Sequence, residues 1–222
     1  MRRYFLFILL LLPFFGIAQD ADETLKRLKQ KLNKVKEYTA KVQIDTRLPF
    51  IKMLPVSALI HFKQPDVFEV KSKGIVIIPR QGLDQINRLL NQASAYTVVP
   101  QGNTMLGGIP VQMMTLIPVQ DTGEVLMGKL WVDPKGILVM KSQLTTRSNG
   151  TVVADFQYGT QAAFGLPDKI SFQVDVKKFK IPKAMTGDMN SSSSPSASGT
   201  TDTKGTIQIR FSEYKITPST KL

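Results

Sequence analysis

The sequence predicts a mainly β protein of the α+β kind: about eleven short antiparallel strands curving as one sheet, with an N-terminal helix and a second helix over it. Three observations carry this expectation. Alternating apolar and polar residues recur along the chain between Gly, Pro and Asn turn signals. Only two stretches show helical spacing. Two helices cover less apolar wall than so many strands present, so a curved sheet encloses an apolar hollow. With 222 residues and 42% hydrophobic composition the chain can build one substantial core. A single domain is therefore expected over residues 19–222.

In chain order, Met1 to Ala18 has a basic tip, an apolar run and small residues before Gln19. This pattern predicts a secretory signal peptide, residues 1–18, cleaved after Ala18. The run is short for crossing roughly 30 Å of hydrocarbon, which weighs against a retained membrane anchor. Asp20, Asp22 and Glu23 then head a helix where its dipole favours acids. Leu25, Leu28, Leu32 and Val35 form a narrow apolar stripe, a helix to about Tyr38 that is laid on a sheet. Strands are expected over Thr39 to Leu48, Val56 to Lys63, Val67 to Lys71 and Ile75 to Ile78, with Pro49 to Pro55 breaking the pattern. Leu83, Ile86, Leu89 and Leu90 mark the second helix. Tyr96 to Val99 and Pro110 to Pro118 read as strands, with turns at Gly102 to Thr104 and at Gly107-Gly108.

Gly123 to Gly165 is an antiparallel meander, turned at Asp133-Pro134-Lys135-Gly136 and at Ser148-Asn149-Gly150. Its apolar positions are Leu130 and Val132, Leu138 and Met140, then Val153 and Phe156 with a one-residue irregularity. Lys169 to Phe179 and Gly205 to Ile216 are the last two strands. Between them, about residues 183–204, lies a Ser-rich segment. It buries too little apolar surface to repay its ordering entropy, so it is expected to be a disordered hairpin loop.

The composition is poor in catalytic chemistry. There is no cysteine and one histidine, His61, so neither a zinc site nor a Cys nucleophile is expected. No phosphate-cradling glycine motif occurs. The carboxylates Asp133, Asp155, Asp168 and Asp175 are scattered, so we expect no catalytic residues, no metal, no cofactor and no enzyme. A hydrolase built on His61 is the reading from another class. An exported chain without cysteine lacks disulfides and a thiol for lipidation. The net charge of +12 gives attraction to anionic surfaces without choosing among them.

Three stretches together resemble the LolA/LolB-like superfamily of bacterial lipoprotein sorting. They are the helix that ends in Lys36 to Ala40, the strand-turn-strand from Ala58 to Val70 with Gln64-Pro65-Asp66, and Lys129 to Gly136 with the later Phe164 to Asp168. The resemblance implies an incomplete β-barrel of roughly eleven strands, closed by helices over a cavity for acyl chains. Candidate cavity residues are Phe50, Met53, Leu54, Phe62, Phe68, Met113, Leu116, Trp131 and Met140. The family's cargo-regulating Arg is replaced here by Gln64.

The function so implied is a periplasmic carrier, a lipid chaperone that moves acyl chains of lipoproteins or lipids toward the outer membrane without covalent chemistry. Its expected partners are those chains and a membrane-bound donor or acceptor protein. No nucleic acid is expected, and the chain is expected to be a monomer, periplasmic or peripheral to the membrane. The alternative is an envelope sensor or adaptor that uses the same fold to bind a protein partner.

Overall fold

The structure is a computed structural model and describes residues 16–49, 51–65, 67–79, 83–91, 96–119, 124–148, 150–175 and 204–219. Helix α1 (Gly16–Leu32) leads into β1 (Val35–Leu48), β2 (Ile51–Lys52), β3 (Val56–Lys63) and β4 (Val67–Ser72). Helix α2 (Leu83–Asn91) precedes β5 (Tyr96–Leu106), β6 (Ile109–Pro118), β7 (Val125–Asp133), β8 (Leu138–Thr146), β9 (Gly150–Gln157), β10 (Lys169–Asp175) and β11 (Lys204–Pro218).

All the pairings are antiparallel, in the order β4-β3-β1-β11-β10-β9-β8-β7-β6-β5, with β2 adding to the end of β1. The terminal strands β4 and β5 do not pair with each other, so the barrel is incomplete. The chain is mainly β with two helices over one curved sheet, as expected from the sequence.

Period-two alternation decides which side is covered. Val42 and Ile44 of β1, Ile60 of β3, Leu130 and Val132 of β7, Phe172 of β10 and Ile207 and Ile209 of β11 share one core. Leu25 and Leu28 of α1 and Ile86, Leu89 and Leu90 of α2 join it from above. Each such side chain contributes roughly 1.5–3 kcal/mol by leaving water, so the sheet curls around what its helices supply.

Gly128 lets α2 come close. A Cβ added there would stand 3.3 Å from Leu89 Cδ2 of the helix and 3.1 Å from Leu144 Cδ2 of β8.

Several local expectations are corrected. α1 begins at Gly16 and has no acid in its first turn, so Asp20, Asp22 and Glu23 sit inside the helix rather than at its head. It stops at Leu32, and Val35 is a buried residue of β1. Ile75 to Ile78 is not a strand. Ile77 is buried in the core without a ladder partner, because a short apolar run satisfies burial in either conformation.

Gly102 lies within β5, at φ 85° beside a register shift, so it kinks a strand instead of ending one. β9 carries no register shift with either neighbour, whereas the β7–β8 pair carries two, at Val125/Met127 and Trp131/Val132. Val152, Ala154 and Phe156 face the core without a break. In β8, Val139 joins the core cluster and Leu138 and Met140 do not.

The Ser-rich segment of about residues 183–204 lies outside the described residues except for Lys204, which opens β11, and residues 1–15 of the expected signal peptide lie outside them too. No helix among the described residues is long and apolar enough to cross a membrane.

Candidate functional site

The hollow is mostly filled by the protein's own side chains. Among the described residues, an apolar cavity of about 70 Å³ stays open at one end of the sheet, beneath α2 and the last turn of α1. Leu32, Ile86 and Asn87 come from the helices, and Val35, Tyr38, Phe62, Val139 and Phe156 from the sheet. Tyr158, Phe164, Gly165, Leu166 and Pro167 close it from the β9–β10 connection.

Aromatic rings form its wall. Tyr38 stacks on Phe62 with ring centroids 5.2 Å apart, and Phe156 on Tyr158 at 6.5 Å. The Tyr158 hydroxyl donates to Val139 O at 2.8 Å, and that of Tyr214 to Pro167 O at 2.7 Å. Burial pushes both phenols far above the ordinary tyrosine pKa. Both stay neutral: Tyr158 stands in the wall, which offers a guest apolar surface and no charge, and Tyr214 lies behind it, against Tyr38 and Phe211.

The cover is held by polar contacts at its rim. Asn33, just after α1, donates from Nδ2 to Asn91 Oδ1 of α2 at 3.0 Å, and Gln64 Nε2 donates to Asn33 Oδ1 at 3.3 Å. Gln64 N also donates to Lys36 O at 2.9 Å. Lys31 Nζ donates to Gly136 O at 2.7 Å, which pins α1 to the β7–β8 turn, and partial burial lowers its pKa. Gln64 thus bridges the β3–β4 turn to the junction of both helices.

Of the expected lining residues, Phe62 alone lines this cavity among the described residues. Leu116 is fully buried in the core, and Met53 and Phe68 pack against it. Phe68 lies directly across from Phe62 on β4. Leu54 is 86% exposed. Phe50 lies outside the described residues.

Trp131 stands between Leu130 and Val132, so the pleat puts it on the opposite side of the sheet. Met113 pairs with Trp131 and shares that side. Lys141 covers the indole with its Nζ 6.0 Å from the ring centroid and reaches Asp155 Oδ1 at 3.2 Å. Met140 sits at the bulge, half-buried and away from the cavity. The cavity's tyrosines and Phe156, Phe164 and Leu166 were missed, although Phe156 and Tyr158 continue the period set by Val152 and Ala154.

His61 is also outside the cavity. Its Nε2 lies 2.7 Å from Glu37 Oε1, and its Nδ1 is 3.8 Å from Glu69 Oε2. The hydrogen bond to His61 holds the Glu37 carboxyl below its usual range. Neighbouring strands thus flank the imidazole with a carboxylate on either side. No group of three metal-ligating side chains occurs among the described residues.

No protein-family description and no curated protein matches the sequence. Solved structures do match. A DUF1329 family protein from Desulfovibrio piger superposes with a TM-score of 0.57 at 11% identity, over 90% of this chain and 92% of that one. A domain assigned to outer membrane lipoprotein sorting, from Vibrio parahaemolyticus, gives 0.56 at 8% identity, over 87% and 91%. A LolA superfamily protein from Nitrosomonas europaea gives 0.51 at 9% identity, over 87% and 93%.

The chain has the LolA/LolB-like fold. In this chain the cavity sits between α2, the end of α1 and one end of the sheet. At such low identity the likeness speaks for architecture and leaves residue roles to the chain's own geometry.

Proposed function

We propose that this protein is a periplasmic lipid-binding carrier, which shelters acyl chains of lipids or lipoproteins between the curved sheet and α2. The observation that carries the reading is the aromatic, uncharged cavity roofed by a short helix. The cavity's ~70 Å³ is about the share of two or three water molecules, while ligand pockets commonly span roughly 300–1,000 Å³. An acyl chain therefore enters by displacing α2, whose Ile86, Leu89 and Leu90 occupy the hollow in the closed state. Each methylene transferred there gains about 0.8 kcal/mol, enough in sum to replace the contacts that the helix gives up.

Transfer in this scheme is non-covalent. His61 has a structural partner in Glu37, and we assign it no chemical step.

The test is mass spectrometry of gently purified protein, alongside a His61→Ala variant. Phospholipid or acylated peptide bound at equal levels in both supports the carrier. Protein that holds no lipid and instead captures a specific envelope protein favours the adaptor. A hydrolytic turnover that vanishes with His61→Ala would establish an enzyme.

A further inference from the structure

The β5–β6 hairpin differs in chemistry from the rest of the molecule. Between Arg88 and Asp121 there is no charged residue, in a chain whose composition is 21% charged. The hairpin also outruns its neighbour. Pairing of β6 with β7 stops at Gln112↔Val132, while β5 and β6 go on pairing through Thr104↔Val111, Met105↔Pro110 and Leu106↔Ile109.

It turns at Gly107 and Gly108, whose φ values of 57° and 83° suit the tight reversal. At this tip Met105 is 61% and Ile109 38% exposed. Water-facing strands and turns normally carry charge, which guards against association, so an uncharged apolar prong is shaped for an apolar partner.

Strand direction places the tip with respect to the cavity. The β5–β6 tip, the β7–β8 turn, the β9–β10 connection and the Gln64-Pro65 turn all lie at one end of the antiparallel sheet. The cavity lies at that same end. Exposed Lys34, Lys36, Lys63 and Lys135 stand there too. Of the acids at this end, Glu37 is tied to His61, which Glu69 also approaches at 3.8 Å, Asp133 accepts from the backbone N–H groups of Lys135 and Gly136, and Asp168 stands near the buried Tyr214, so the lysines are left to face the surface.

We propose that the β5–β6 tip inserts into the surface of an anionic lipid bilayer and brings this end of the molecule, with its cavity, against the lipid. The lysines match the negative headgroups, each adding about fivefold to affinity near the surface. Met105 and Ile109 each add about tenfold or more when buried in hydrocarbon. The proposal rests on the carrier reading for what is collected there, but insertion itself needs no guest in the cavity.

The absence of native cysteine permits a site-specific test in the full chain. An environment-sensitive fluorophore is placed on Met105→Cys at the tip, or on Ser57→Cys at the opposite end of the sheet. Each is mixed with phosphatidylethanolamine/phosphatidylglycerol vesicles. The expected result is a blue shift and brightening for the tip label, none for the Ser57 label, and a weaker response with phosphatidylcholine alone. Adding Ile109→Asp to the tip-labelled chain, with circular dichroism unchanged, should weaken the response about tenfold or more.

A tip label that stays water-like overturns the proposal, as does an equal shift at both ends. A shift that grows with protein concentration without vesicles also overturns it, since a second copy then covers the tip. Lipid retained in the cavity while the tip stays in water would leave the carrier standing and remove only the membrane insertion.

Discussion

At the scale of single residues, buried phenols show how the cavity is kept apolar. Tyr158 of the wall and Tyr214 behind it are neutral in the folded state, with pKa values raised far above the ordinary tyrosine value by burial. In the unfolded chain they ionise near that ordinary value, so their contribution to stability is fully present below it and is lost as the pH rises past it. Melting followed from pH 8 to 11 should fall most steeply above about 10. Tyr158→Phe should make that fall shallower and, at neutral pH, cost about 1 kcal/mol for the lost bond to Val139 O; a variant with the same alkaline slope would remove Tyr158 from the account. Glu37 has the opposite sign, its lowered pKa giving support that disappears only as acid protonates it. Residue identity was the least legible level of the sequence. Trp131 and Met113 drew attention by size and softness, yet parity against Leu130 and Val132 sends them to the other side. Tyr38 and Tyr158 each carry a polar hydroxyl, and only their stacking partners mark them as wall.

At the scale of elements, α2 is the part whose position matters most. It is short, its apolar residues Ile86, Leu89 and Leu90 face the hollow, and Leu89 rests over Gly128. Gly128→Val should push on both Leu89 and Leu144, lowering stability by about 1–3 kcal/mol and raising the fluorescence of an apolar dye that enters beside the displaced helix. Unchanged stability together with unchanged dye binding would mean that α2 is not seated as described. The sequence was informative here wherever periodicity ran long. β1, β6, β10, β11 and α2 are legible from alternation or helical spacing, because burial on one face demands that period. It was less so at Ile75 to Ile78, where four apolar residues fit a strand or a buried irregular segment equally. Gly102 misled for a related reason, since a glycine at positive φ serves a bulge as readily as a turn. The helix-to-strand junction also moved from Tyr38 to Leu32, because Val35 fits the stripe of a helix and the inner face of β1 alike.

At the scale of the whole molecule, an eleven-stranded sheet that leaves β4 and β5 unpaired needs something to cover its open side. Two helices do this in the closed state, and the rim contacts Gln64–Asn33 and Asn33–Asn91 hold them there. Neutral rim hydrogen bonds of this kind are individually worth only about 0.5–1.5 kcal/mol, which suits the lifting cover of the proposed carrier. The curved sheet was legible in the sequence from the excess of strand over helix. The rim was not, because Asn33, Gln64 and Asn91 are brought together only by the fold, from positions with no periodic signature.

The most direct measurement locks this cover. Asn33→Cys and Asn91→Cys, joined by a short thiol crosslinker in a chain with no other cysteine, tether α2 to the end of α1. Native mass spectrometry after incubation with a long-chain fatty acid should show one guest bound to the untethered protein and none to the tethered form. Equal uptake by both forms, or no uptake by either, would contradict an acyl site beneath α2.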